Sequence, residues 1–244
     1  MFSPLEQFDV IPLYFFSYKN YDLTFFNIFL PIVIIILFFI IINSFKFYYK
    51  LIPYSIQILI ENLIEFIFNI IKGQIGKEGY LYFPFIFSIF TFVLIANLLS
   101  IIPFGIALTS HLIVTMWLSL SLCSGIFVLG LYYKNIEFLK IFIPKCPLAL
   151  LPILILIEIF SYIIRAFSLS IRLTANILAG HTLVNIISVF ILNSFYINLI
   201  IFFIGFLGIF AVLLLELGVA CLQAYVLTIL ICIYLKDVLL SEEH

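Results

Sequence analysis

Long, nearly uninterrupted apolar runs make up most of this chain, and the breaks between them define its elements. Leu23 to Phe45 carries no charge and exceeds the roughly 20 helical residues needed to cross a hydrocarbon core. Residues 55–72, "SIQILIENLIEFIFNIIK", read differently: Gln57, Glu61, Glu65 and Asn69 recur every four residues. One helical face is then polar and the remainder apolar, which predicts a helix lying on a membrane surface rather than crossing it. Gly79 to Ile102 and Thr109 to Tyr133 are two further spans, and the short "PFGIALT" stretch between them predicts a helical hairpin over 79–133. Pro144 and Pro147 break the backbone after it.

From Pro147 to Leu235 the only convincing turn signal is "NSFYIN" at 193–198. Two long helices result, over 148–190 and 196–235, each about 60 Å at 1.5 Å per residue. The hydrocarbon core is about 30 Å thick, and an ordinary tilt of about 20° does not absorb the excess. No Pro or Gly interrupts Ile153 to Ala179. The pattern therefore predicts a steeply inclined hairpin over 148–235. The whole reads as one all-α polytopic membrane domain, 1–244. It has an N-terminal segment 1–22, five membrane-crossing helices and one amphipathic surface helix.

Lysine placement orients this arrangement. With five crossings, Lys46, Lys50, Lys72, Lys77, Lys134, Lys140, Lys145 and Lys236 share one side, and Lys19 alone takes the other. The excess of basic residues on inner loops then places the N-terminus outside and the C-terminus inside.

Composition agrees with the pattern. The chain is 66% hydrophobic and 9% charged, where soluble domains carry roughly 25% charged residues. A net charge of -1 without a basic block excludes a nucleic-acid partner. The N-terminal "MFSPLEQFDV" resembles neither a secretory leader nor an Arg-rich transit peptide, so insertion is expected to rely on the spans themselves. Cys123, Cys146, Cys221 and Cys232 lack metal-ligand or redox spacing and read as small apolar fillers.

Against this background the few ionisable side chains of the last hairpin carry the functional signal. Glu158, Arg165 and Arg172 are spaced by seven, interleaved with Ser161, Ser168, Ala175 and Ala179, and Asn176 lies one turn beyond Arg172. These positions form one slowly drifting stripe along a helix. Small residues alone would fit close helix packing. Charges do not, because each central charge costs around 2.5 to 3.5 kcal/mol on insertion scales. Arg165 stays open between a structural pair and a group reaching toward the inner surface. The second helix carries Gly205, Gly208, Val212, Glu216, Ala220 and Gln223 in a stripe of its own. Glu216 and His181 are groups able to exchange protons. His111 begins a span and fits an interfacial position.

No nucleophile–base set, phosphate loop or metal-ligand cluster is apparent, and no cofactor is implied. Along the first long helix Glu158 lies about 21 Å from Arg172 on one side, and His181 lies about 13 Å away on the other. A proton path within this chain would have to pass Arg172, which cannot relay protons because its pKa exceeds about 12. Such a split path is useful only if a moving partner carries protons around the block.

The segments "SYIIRAFSLSIRLTANILAGHTLVNII" and "LELGVACLQAYVLTILICIYLKD" resemble subunit a of the rotary F-type ATP synthase, in its mitochondrial form. The likeness extends to "SPLEQFDVIP", "KGQIGKEGYLYFPFIFSIFTFVLIANLLSIIPF" and "SHLIVT". It implies a non-catalytic stator subunit of the mitochondrial inner membrane. Its partners would be the proteolipid subunits of the c-ring, other stator and peripheral-stalk subunits, and membrane lipid. Arg172 would be the essential arginine facing the ring. Glu216 and His181 would belong to the half-channel open to the intermembrane space, and Glu158 to the matrix side. Asn176 and Gln223, with Ser168 and Arg165, would be supporting polar residues. The connection 134–147 is less typical of that family. Two other readings compete. A self-contained proton or cation transporter would be expected to show paired repeats, and none is found. A structural subunit of a respiratory complex would leave Arg172, Glu158 and Glu216 without roles.

Overall fold

The computed structural model describes residues 12–18, 21–26, 32–37, 40, 54–101, 108–135, 138, 142, 151–195 and 199–239. Strands β1 (Pro12–Tyr18) and β2 (Tyr21–Phe26) come first, and the long helices among the described residues are α1 (Ser55–Gln74), α2 (Phe83–Ile101), α3 (Leu112–Lys134), α4 (Leu151–Phe195) and α5 (Leu199–Leu239). Among the described residues four segments are long and apolar enough to cross a membrane: Lys77–Ile101, Leu112–Tyr133, Leu151–Leu192 and Phe202–Leu239. The helical, membrane-spanning class read from the sequence is the class observed.

The N-terminal region departs from expectation. β1 and β2 pair antiparallel, with Phe15 opposite Thr24 and Tyr18 opposite Tyr21. Leu23 to Phe26, expected to open the first span, therefore belong to a strand. Aromatic and β-branched residues crowd "PLYFFSY" and "YDLTFF", a composition that favours extended backbone. Within 23–45, residues 32–37 and 40 are helical and the others lie outside the described residues. Lys19, Lys46, Lys50, Lys140, Lys145, Cys146 and His244 also lie outside them, as does most of the 134–147 connection.

The chain divides into two compact units. The first draws on Met1–Tyr49, Phe92–His111 and Leu173–Gln223. It buries Val93, Ala96, Leu173, Ile177, Ile191 and Ala220, from the end of α2, the later part of α4 and the earlier part of α5. The second draws on Lys50–Thr91, Leu112–Arg172 and Ala224–His244. Its core holds Ile67, Ile71, Ile86, Ile126, Leu227 and Leu235.

In the second unit, α1 buries Ile67 and Ile71, with Ile75 just past its end at the same four-residue spacing, and leaves Glu61, Glu65 and Asn69 exposed. Gln57 Nε2 donates to Glu61 Oε1 at 2.8 Å across one turn of the polar face. Gly76 ends the helix region with φ of 86°, a positive-φ conformation that a side chain resists. A single 3₁₀ stretch, Lys77–Tyr82, then leads into α2.

The hydroxyls inside the apolar spans are satisfied locally. Thr91 donates to the Phe87 carbonyl at 2.8 Å, and Thr115, Ser119, Ser121 and Ser124 each donate to a carbonyl three residues back. Such back-bonding lets polar residues sit in lipid-facing helices without an unpaired donor. α4 has 45 residues and α5 has 41, about twice the span of a hydrocarbon core. The expected turn starts later than the residues suggest, since Asn193 to Phe195 remain helical.

Candidate functional site

Residues of α4 and α5 at equal distance from the connection at 196–198 face one another, as an antiparallel hairpin requires. In the first unit this register brings Ile191 against Gly205, where a Cβ on the glycine would come within 2.5 Å of Ile191 Cγ1. Further along it brings His181 to Glu216. His181 Nε2 lies 3.7 Å from Glu216 Oε1, with side-chain exposures of 16% and 6%. That spacing is longer than a hydrogen bond, and the contact is ionic only when the imidazole is protonated and the carboxyl is not. The imidazole also hydrogen-bonds to the main chain at Ser100, near the end of α2. No cluster of three or more possible metal ligands occurs among the described residues.

Glu216 opens onto a cavity of about 410 Å³ in the same unit. Asn97, Ser100, Asn176 and Gln223 contribute its other polar lining, and Leu173, Ile177, Val212 and Val219 much of the apolar remainder. The pair is thus not isolated in hydrocarbon: it sits beside a space that several hydrogen-bonding groups enter. Asn176 and Gln223, supporting polar residues by the resemblance, lie in the wall of this cavity.

Asn97 is a site residue that sequence reasoning missed. It is 1% exposed, and its Nδ2 donates to the Ala220 carbonyl at 3.5 Å. Its Oδ1 has no hydrogen-bond partner among the described residues. The signal was present, a lone amide within "FVLIANLLSI", but nothing in the spacing along the chain connects α2 to the last hairpin.

The second unit holds the other charges. Arg172, Ser168 and Glu158 are exposed and Arg165 and Ser161 half-buried, so the polar stripe of α4 is turned outward instead of being packed against this chain. Ser161, Arg165, Ser168 and Arg172 line an open groove of about 760 Å³, walled by Ile157, Phe160, Ile164, Val226, Ile229 and Leu230. Among the described residues no carboxylate pairs with Arg172. A guanidinium placed on an apolar surface without a counter-charge is costly unless a partner supplies one.

Arg165 has a different environment. Its guanidinium carbon lies 5.5 Å from the centre of the Tyr234 ring, a cation–π distance. Tyr234 in turn packs on Tyr162 with ring centres 4.8 Å apart, and the Tyr162 hydroxyl donates to the Cys123 carbonyl at 3.3 Å. Asp237 interacts electrostatically with Arg165, Lys236 and Glu158. Tyr234 and Asp237 are thus the neighbours of Arg165 that a structural pair would use. Asp237 is a second missed residue: it lies more than 70 positions along the chain from Arg165 and meets it only through packing within the second unit. His111 is half-buried after a short turn, Leu108–Ser110. Of the cysteines, Cys123 and Cys232 are buried and Cys221 is exposed, all free.

Residues 25–236 match the family described as ATP synthase A chain. The chain is 41% identical over 246 residues to ATP synthase subunit a of Acanthamoeba castellanii, covering 98% of each sequence. It is 42% identical over 247 residues to ATP synthase subunit a of Brassica napus, covering 96% of this chain and 95% of that one. For ATP synthase subunit a of Chondrus crispus the identity is 41% over 244 residues, with 97% and 96% covered.

Proposed function

The chain belongs to the ATP synthase A chain family, and on that premise we propose that it is the stator subunit that passes protons to and from a rotating ring of proteolipid subunits in the mitochondrial inner membrane. Protons enter from the intermembrane space by way of Glu216 and His181. They leave to the matrix past Glu158, beside Asp237. Arg172 separates the two routes. The subunit contributes no catalysis of its own; its contribution to ATP synthesis is to couple proton flow to rotation.

The observation that carries this reading is the outward-facing Arg172, set in an open apolar groove without a carboxylate partner among the described residues. A deprotonated acidic side chain on a ring subunit would supply the missing charge. At about 4 Å and an effective dielectric of about 20 the attraction is about 4 kcal/mol before desolvation costs. That magnitude favours the charged form in front of Arg172 and still permits release when the next carboxylate arrives. Once protonated, the acid is neutral and can rotate through lipid. Ser161 and Ser168 flank the cation on the same face, and their small side chains leave room for a ring helix to approach. Arg165, held by Tyr234 and near Asp237, acts as a fixed support of the matrix-side cluster.

On the other side, the Glu216–His181 pair beside the cavity that Asn97, Asn176 and Gln223 line supports a proton-entry role: either group can hold the proton, and 3.7 Å is short enough for a small side-chain motion to bring them into hydrogen-bond contact. Asn176, Gln223 and Asn97 would hold water there.

The test is cysteine cross-linking in the native complex. Single cysteines replacing Ser168 and Ser161 should each form a disulfide-length link to a small two-helix proteolipid, and a cysteine replacing Ile163 should not. Cross-links to a peripheral structural subunit alone would support the respiratory-complex reading instead.

A further inference from the structure

We propose that Gly180 is a positioning residue for the proton-exchanging carboxyl of Glu216: its missing side chain leaves a notch on α4 in which that carboxyl rests. This rests on the reading of Glu216 as the proton-entry group.

A Cβ built on Gly180 would lie 2.9 Å from Glu216 Cδ, 2.9 Å from Oε1 and 3.3 Å from Cγ. Carbon–carbon contacts that close do not occur between real side chains, so the space is already taken by the carboxyl group. The same Oε1 lies 3.7 Å from Nε2 of His181, the next residue in α4. One oxygen is therefore placed by two adjacent positions: the notch admits it, and the imidazole faces it. Glu216 is itself buried, and this oxygen has no hydrogen-bond partner among the described residues, so little else fixes its place.

Other glycines of this hairpin behave differently. A Cβ on Gly208 or Gly218 would meet nothing within 4 Å, and one on Gly205 would meet only the hydrocarbon of Ile191. Gly205 thus serves close helix packing. At Gly180 the atoms in the way are the far end of a flexible side chain, neither backbone nor a ring. A methyl group there can be accommodated by turning the carboxyl aside, without separating the helices. Alanine is also the better helix former, so α4 is not weakened. What changes is where the carboxyl points relative to His181 and the cavity.

The experiment compares proton flux driven by a membrane potential, across a range of pH, in proteoliposomes holding the assembled complex. The variants are Gly180→Ala, Glu216→Asp, the double variant, and Glu216→Gln as a control. Displacing a proton-transfer group by about an ångström is expected to slow flux about tenfold in Gly180→Ala, with normal assembly and an altered pH profile. Glu216→Asp withdraws the carboxyl by one methylene and clears the notch. In that background the glycine replacement should change flux less than about twofold, the non-additivity expected of residues in contact. Wild-type flux and pH profile in Gly180→Ala overturn the proposal. So does an equal loss of flux, or of assembly, in both backgrounds. If Glu216→Gln loses flux while Gly180→Ala does not, only the notch is refuted. If Glu216→Gln itself keeps wild-type flux, the proton-entry reading falls and the notch with it.

Discussion

His181 Nε2 and Glu216 Oε1 stand 3.7 Å apart although 35 positions separate them in the chain, because both lie at nearly the same distance from the connection between α4 and α5. Loss of the carboxylic proton in Glu216→Gln should slow proton-driven ATP synthesis in reconstituted vesicles by about 100-fold, the scale of a lost acid–base group. The amide is nearly isosteric, so subunit content by gel should be unchanged. His181→Gln should have the smaller effect, since water in the adjoining cavity can still reach Glu216.

Asn97 ties α2 to the site through its contact with the Ala220 carbonyl and its place in the cavity wall. Asn97→Leu should keep the branching of the side chain, remove the amide and lower stability by at least about 1 kcal/mol, the larger methyl groups adding to the loss. It should also slow proton entry several-fold. Thermal denaturation of the purified complex and flux measurements on the same sample would separate the two effects.

Tyr234 supports Arg165 through its ring, and its hydroxyl has no hydrogen-bond partner among the described residues. Tyr234→Phe should therefore be nearly neutral in thermal stability. Tyr234→Leu should cost about 1 kcal/mol from the lost cation–π contact, beyond any packing change. Equal losses in the two variants would show that the hydroxyl matters and the ring face does not.

Gly76 carries a φ of 86° at the end of α1. Gly76→Ala has open space for its methyl but must adopt a positive-φ, extended backbone that essentially only glycine populates, at a cost of about 1 to 3 kcal/mol. The expected outcome is lower thermal stability with unaltered proton flux per assembled complex.

How far the sequence revealed these features depended on their range. Apolar runs and four-residue polar spacing are local, so the membrane class, the amphipathic α1 and the two long helices were legible. The seven-residue spacing of Glu158, Arg165 and Arg172 likewise placed them on one face. Which way that face turned was not legible: small residues allowed burial against a neighbouring helix, and only the structure shows Arg172 exposed. Pairings across the chain were the least accessible. Asn97 meets Ala220 through tertiary packing, and Asp237 joins Arg165 through packing within the second unit, neither of which periodicity reports. The β1–β2 pairing is not legible because the aromatic residues of β2 suit a membrane segment equally well.

The central claim concerns Arg172. Its most direct test measures ATP synthesis and passive proton leak in vesicles carrying assembled complexes with Arg172→Ala or Arg172→Lys. The account predicts loss of synthesis in both variants despite assembly, with added proton leak in Arg172→Ala, where the barrier between the two routes is gone. Wild-type synthesis with a tight membrane in either variant would contradict it.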